Sequence, residues 1–71
     1  MAKQYYTVCT FEDGKWYDEF GSYSRKEANE EAAFIREDQS HRYKRGWVKV
    51  ISHDDNAEAM IAARDALAIP K

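Results

Sequence analysis

YYTVCTFEDGKWYDEF, residues 5–20, is the stretch on which the fold turns. Its first seven residues are dense in aromatic and β-branched side chains, the composition of a strand. Asp13-Gly14 separates that run from KWYDEF, residues 15–20, and Asp-Gly so placed is the strongest short-range hairpin signal. With a two-residue turn, Phe11 faces Trp16 and Thr7 faces Phe20. That register collects Tyr5, Cys9, Phe11, Trp16 and Phe20 on one face, with Tyr6, Val8 and Tyr17 on the other. A three-residue loop with a bulge would gather Tyr6, Val8, Trp16 and Phe20 instead. Both registers stay open at this level, and in either one both faces of the hairpin carry large apolar groups.

Beyond Gly21 the pattern changes from period two to helical. Ser24-Arg25-Lys26-Glu27 reads as a capping box, the Ser24 hydroxyl accepting from the backbone N–H of Glu27, with Tyr23 placed to staple onto Ala28. Ala28, Ala32 and Ile35 recur at helical spacing, so residues 25–39 are expected to form an amphipathic helix, with Phe34 on its flank. Residues 40–46 (SHRYKRG) read as a polar, basic loop, and residues 47–51 (WVKVI) as a third strand. Asp54, Asp55 and Asn56 supply N-cap candidates for a second helix reaching about Leu67, with Pro70 beyond it. The expected fold is α+β in the order β-β-α-β-α. It is a single domain over residues 1–71, with a three-stranded antiparallel sheet of order 2-1-3 and both helices on one face. The opposite face would then be open and aromatic, which marks a binding or dimerisation surface.

Composition narrows the function classes. The 71 residues carry a formal charge of −2, with 44% apolar and 14% aromatic residues, which is foreign to a disordered tail. No apolar run approaches the roughly 20 residues that span a bilayer, and no export h-region follows Met1, so no membrane association is expected. The single cysteine, Cys9, fits a reducing compartment, and the expected location is cytoplasmic, in the cytosol of a bacterial host. A chain this short has little stability to spare, which tilts the reading towards a module that is completed by a partner.

Few residues offer chemistry. Cys9 lies mid-strand, where a thiol is a small buried hydrophobe more often than a nucleophile. His41 and His53 are the only imidazoles. No Gly-x-Ser-x-Gly, P-loop or His-Glu-x-x-His pattern occurs. His53-Asp54-Asp55 is better explained by helix capping than by a metal, so neither an enzyme nor a metal or other cofactor is expected. The sharpest charge feature is residues 41–49, where Arg42, Lys44, Arg45 and Lys49 interleave with Tyr43 and Trp47. Such a loop suits protein contact, or phosphate contact with base stacking. The slightly acidic chain opposes nucleic acid as a partner. The acidic pole is Glu12, Asp13, Asp18 and Glu19 on the hairpin, joined by Glu27, Glu30, Glu31, Glu37 and Asp38 on the first helix.

An aromatic hairpin, a Glu/Ala-rich helix, one further strand and a short Pro-Lys end in a chain of this size resemble the small host-takeover proteins of bacteriophages. The order of elements over the first 51 residues is similar to that of the phage inhibitor of bacterial RNA polymerase, and the size is similar to that of several anti-CRISPR proteins. The helix over residues 56–67 departs from the polymerase inhibitor, and no functional residue carries over. The resemblance implies a non-enzymatic, protein-binding module from a phage or mobile element that inhibits or modulates a host protein complex. Trp16, Tyr17, Tyr43 and Trp47 are the expected anchors, because Trp and Tyr dominate interface hot spots. Arg42 and Arg45 would orient the contact through carboxylates. The alternatives are nucleic-acid binding through residues 41–49 and a structural homodimer.

Overall fold

The computed structural model describes residues 3–70. Strands β1 (Gln4–Glu12) and β2 (Lys15–Ser22) form the hairpin. Asp13 at φ 52° and Gly14 at φ 78° make the two-residue turn, so Glu12 pairs with Lys15 and Phe11 with Trp16. The register then shifts: Cys9 pairs with Asp18 but Val8 pairs with Phe20, leaving Glu19 as the extra residue of a bulge. Its side chain is held, Glu19 Oε1 accepting from the Thr10 hydroxyl at 3.1 Å. The hairpin thus combines the two registers that the sequence left open. Trp16 stays beside Cys9 and Phe11, while Phe20 is turned over to join Tyr6 and Val8.

Helix α1 (Arg25–Asp38) begins where the capping box places it, with the Ser24 hydroxyl accepting from the Glu27 backbone N–H at 3.2 Å. Tyr23 does not staple onto Ala28. Its ring stands edge-on to Tyr5 at 4.8 Å and its hydroxyl donates to Asp55 at 2.5 Å, tying the end of β2 to the end of the third strand. After α1 a short 3₁₀ turn at Arg45–Trp47 leads into β3 (Val48–Asp54). This strand runs three residues further than its apolar pattern, because its pairing with β1 continues through Tyr5–His53 and Gln4–Asp54. Helix α2 (Ala57–Asp65) is capped by Asn56, whose side-chain oxygen accepts from the Ala59 N–H at 2.7 Å.

The sheet order is β2-β1-β3, with β1 antiparallel to both neighbours, so the fold is α+β in the order β-β-α-β-α. Strands β2 and β3 therefore run parallel to each other across β1, joined through α1. The placement of the helices corrects the sequence reading: they lie on opposite faces rather than sharing one. Ala28, Ala32 and Ile35 of α1 pack on Val8 and Val48, with Tyr43, Tyr6, Phe20 and Val50 completing that cluster. The alternate residues of the same strands, Cys9, Phe11 and Ile51, form a second cluster with Trp16 under Leu67, just beyond α2. Successive side chains of a strand point to opposite faces, so Val8 and Cys9 mark the two sides. The physical reason is simple: α1 fills its face with 14 residues, and the apolar stripe of the other face needs a cover that only the C-terminal segment can supply. That cover is thin, since no α2 residue is fully buried.

Candidate functional site

The six anchor residues expected from sequence do not form one surface. Trp16 is 9% exposed and belongs to the second core, with its ring 5.3 Å from that of Phe11 and its indole N–H donating to the Ala68 carbonyl at 3.2 Å. Tyr43 is 5% exposed and packs in the first core. The chain turns back after α1, the Tyr43 N–H donating to the Gln39 carbonyl, and this carries the ring inward from an otherwise polar loop. Neither residue is available as a surface anchor, which corrects that part of the sequence reading. Trp47 is half-buried against Phe11 at 5.5 Å, with the Lys44 ammonium 5.6 Å above its ring. Its indole N–H is buried and has no acceptor among the described residues. Tyr17 is 43% exposed on β2, opposite Thr10.

The cations divide into committed and free groups. Arg42 holds Glu12 through bonds of 2.8 Å to each carboxylate oxygen and lies 5.2 Å from the Tyr43 ring. Hydrogen bonding to Glu12 raises its pKa further above the ordinary arginine value. Arg36 donates to the Val48 carbonyl at 2.8 Å. Arg25, Lys44, Arg45 and Lys49 are exposed and make no ion pair among the described residues. Arg25, Asn29 and Arg36 recur on one flank of α1, and that flank faces β3: Arg25 and Asn29 share a cleft of about 210 Å³ with Val50 and Ser52. The opposite flank carries Glu27, Glu31, Phe34 and Asp38. Asp18 and Glu19 on β2 extend that acidic flank, with Asp18 paired to Arg64 at 3.2 Å. The cations Arg25, Lys44, Arg45 and Lys49 lie towards β3, which ends in Asp54.

A second feature escaped the sequence reading. A cleft of about 400 Å³ opens between α2 and the sheet, with Tyr5, Thr7 and His53 among its floor residues and Asp18, Glu19 and Met60 on its walls. Thr7 and His53, diagonal neighbours on β1 and β3, are bonded at 2.7 Å between the Thr7 Oγ1 and the His53 Nε2, and the His53 Nδ1 lies 2.8 Å from the Asp54 carbonyl. An Nδ1–H donor leaves Nε2 to accept from the hydroxyl, so the pair satisfies its own polar atoms within the sheet. A hydroxyl next to an oriented imidazole is also the geometry of a nucleophile and base. Here both residues are nearly sealed, 3% and 8% exposed, and the pair acts as a polar rivet between strands. The signal in sequence was only the alternation that puts both side chains on one face.

Cys9 is fully buried. Burial, then the Asp18 carboxylate, push its thiol up to about 11 from 9.0, against the opposing pull of Arg64. A neutral, enclosed thiol is a packing group. No three side chains of metal-ligating type are grouped among the described residues, and no helix there is long and apolar enough to cross a membrane. Compared with known proteins, the chain matches no family model, no curated protein and no solved structure.

Proposed function

We propose that this chain is a non-enzymatic protein-binding module that docks an acidic region of a partner complex on its basic β3 side and modulates that complex by occlusion. The observation that carries the reading is the separation of charge across the sheet. In a chain of net charge −2, four exposed cations, Arg25, Lys44, Arg45 and Lys49, make no ion pair among the described residues and lie on the β3 side, where Asp54 ends the strand. Asp18, Glu19 and the Glu27, Glu31 and Asp38 flank of α1 lie on the β2 side. A one-sided field of this kind steers and orients association with a surface of opposite sign. The likeness in size and element order to phage host-takeover proteins supports a bacterial host complex as the partner and the bacterial cytosol as the place. Base stacking gains no support, because Tyr43 is buried and Lys44 covers the Trp47 ring.

The test is affinity capture from nuclease-treated bacterial lysate with the tagged chain and with an Arg45→Glu/Lys49→Glu variant of unchanged circular dichroism. A protein complex retained by the wild type and lost by the variant supports the reading. Recovery of the same proteins with both, or capture that disappears with nuclease treatment, refutes it.

A further inference from the structure

Within the protein-binding reading above, on which this step rests, we propose that the outer edge of β3 accepts an extended acidic segment of the partner as a fourth strand of the sheet. Among the described residues no strand pairs with that edge. Which backbone groups it presents follows from the ladder. The Asp55 N–H donates to the Lys3 carbonyl, and hydrogen-bonded pairs of an antiparallel ladder recur every second residue. Lys49, Ile51 and His53 therefore point their backbone groups at β1, and Val48, Val50, Ser52 and Asp54 point theirs away. The bond from Arg36 to the Val48 carbonyl confirms the outward phase independently. The Asp54 carbonyl is also taken, by the Asn56 N–H at 2.7 Å. Val50 and Ser52 keep both their N–H and C=O groups unpaired among the described residues, the spacing at which an added strand bonds.

The other edge is closed to such pairing. Strand β2 carries the Glu19 bulge and the Asp18 and Glu19 carboxylates, the devices that blunt an edge. The β1–β3 ladder has no register shift from Gln4–Asp54 to Thr10–Val48, so β3 presents a regular edge on which Val50 and Ser52 keep their groups open. Charge selects the occupant. Arg25 stands beside Val50 and Ser52 in the cleft on the α1 side, Lys49 projects on the α2 side, and Lys44 and Arg45 lie just before the strand. Against them the strand itself carries one carboxylate, Asp54 at its end, which accepts from the Gln4 amide at 3.1 Å. A second copy pairing through the same edge would bring these like charges together. An acidic extended segment turns the same cations into attraction, its alternate side chains entering the cleft beside Arg25 and Asn29.

The probe is a synthetic eight-residue peptide alternating Glu and Val, added to the ¹⁵N-labelled chain. Amide hydrogen exchange at Val50 and Ser52 is expected to slow on binding, with Asp18 and Glu19 on the β2 edge unchanged. Ser52→Pro removes one outward N–H without touching the ladder to β1, and it weakens peptide binding about tenfold. Arg25→Glu/Lys49→Glu, which leaves every backbone group in place, weakens it as well without changing Tm. Unaltered exchange at Val50 and Ser52 overturns the proposal, as does undiminished binding by these variants. Protection that rises with protein concentration alone also overturns it, by assigning the edge to a second copy. A captured host complex that Ser52→Pro retains would sink strand addition while leaving the protein-binding reading intact.

Discussion

Replacing Trp16 with alanine removes the largest side chain of the second core. Its ring packs against Phe11 at 5.3 Å and under Leu67, and it is 9% exposed. An aromatic of this class buries about 150–250 Å², worth roughly 4–6 kcal/mol at about 25 cal/mol per Å². Measured Trp→Ala losses of about 3–5 kcal/mol narrow that to about 4. The whole domain, at about 0.05–0.15 kcal/mol per residue, has roughly 4–11 kcal/mol to lose. With a urea slope of about 1 kcal/mol/M for so small a domain, the unfolding midpoint falls by about 4 M, or the variant fails to fold. Trp16→Phe is the control: it keeps an aromatic ring beside Phe11, forfeits the bond to the Ala68 carbonyl and loses about 1 kcal/mol beyond any change in packing. Urea titration followed by far-UV circular dichroism reads both. A Trp16→Ala chain with the wild-type midpoint would refute the reasoning and return Trp16 to the surface as a docking residue.

Other outcomes follow from the same contacts. Trp47→Ala costs about 2–3 kcal/mol through lost packing, whereas Trp47→Phe is close to neutral because it also removes a buried donor that has no acceptor; paired urea melts distinguish the two. Gly21→Ala would set its Cβ 2.5 Å from the Tyr5 hydroxyl and push that ring off Tyr23, at a cost of about 1–3 kcal/mol. Gly46→Ala, with open space around it, is silent in the same urea melts. Cys9 resists a thiol reagent at pH 8 until the chain unfolds. Its folded pKa of about 11 lies above the ordinary 9.0, so the native state holds the proton longer than the unfolded state does. Stability from this group is therefore complete below pH 9 and is lost as pH rises towards 11, by roughly 2 kcal/mol. Comparing pH-dependent melts of wild type and Cys9→Ala isolates that slope.

The elements that rest on local chemistry were legible in the chain. Asp13-Gly14 specified its turn, Ser24 and Glu27 the start of α1, and the order of the elements the strand order 2-1-3. What stayed hidden depends on contacts between distant segments. The Glu19 bulge exists because Phe20 packs with the α1 cluster while Trp16 stays with Phe11, a compromise that no window of residues 15–20 displays. The face taken by α2 follows from α1 already occupying the other. An apolar face with Cys9, Phe11 and Trp16 belonged to one of the two registers read from the sequence, but it was expected to stay open, and its cover by Leu67 appears only in the folded chain. Tyr43 sits among cations and reads as exposed, yet the turn closed by Gln39 takes it into the core. The basic side of the molecule was half legible. The run at residues 41–49 announced it, but Arg25 and Arg36 join it only through the flank that α1 turns towards β3.

Photocrosslinking in bacterial cells locates the docking side most directly. A benzoylphenylalanine is placed at Ser52 on the β3 edge and, in a second chain, at Phe34, which is 57% exposed on the acidic flank of α1. A covalent adduct with a host protein from position 52 and none from position 34 is the predicted result. An adduct from position 34 alone, or from neither position, contradicts a partner seated on β3.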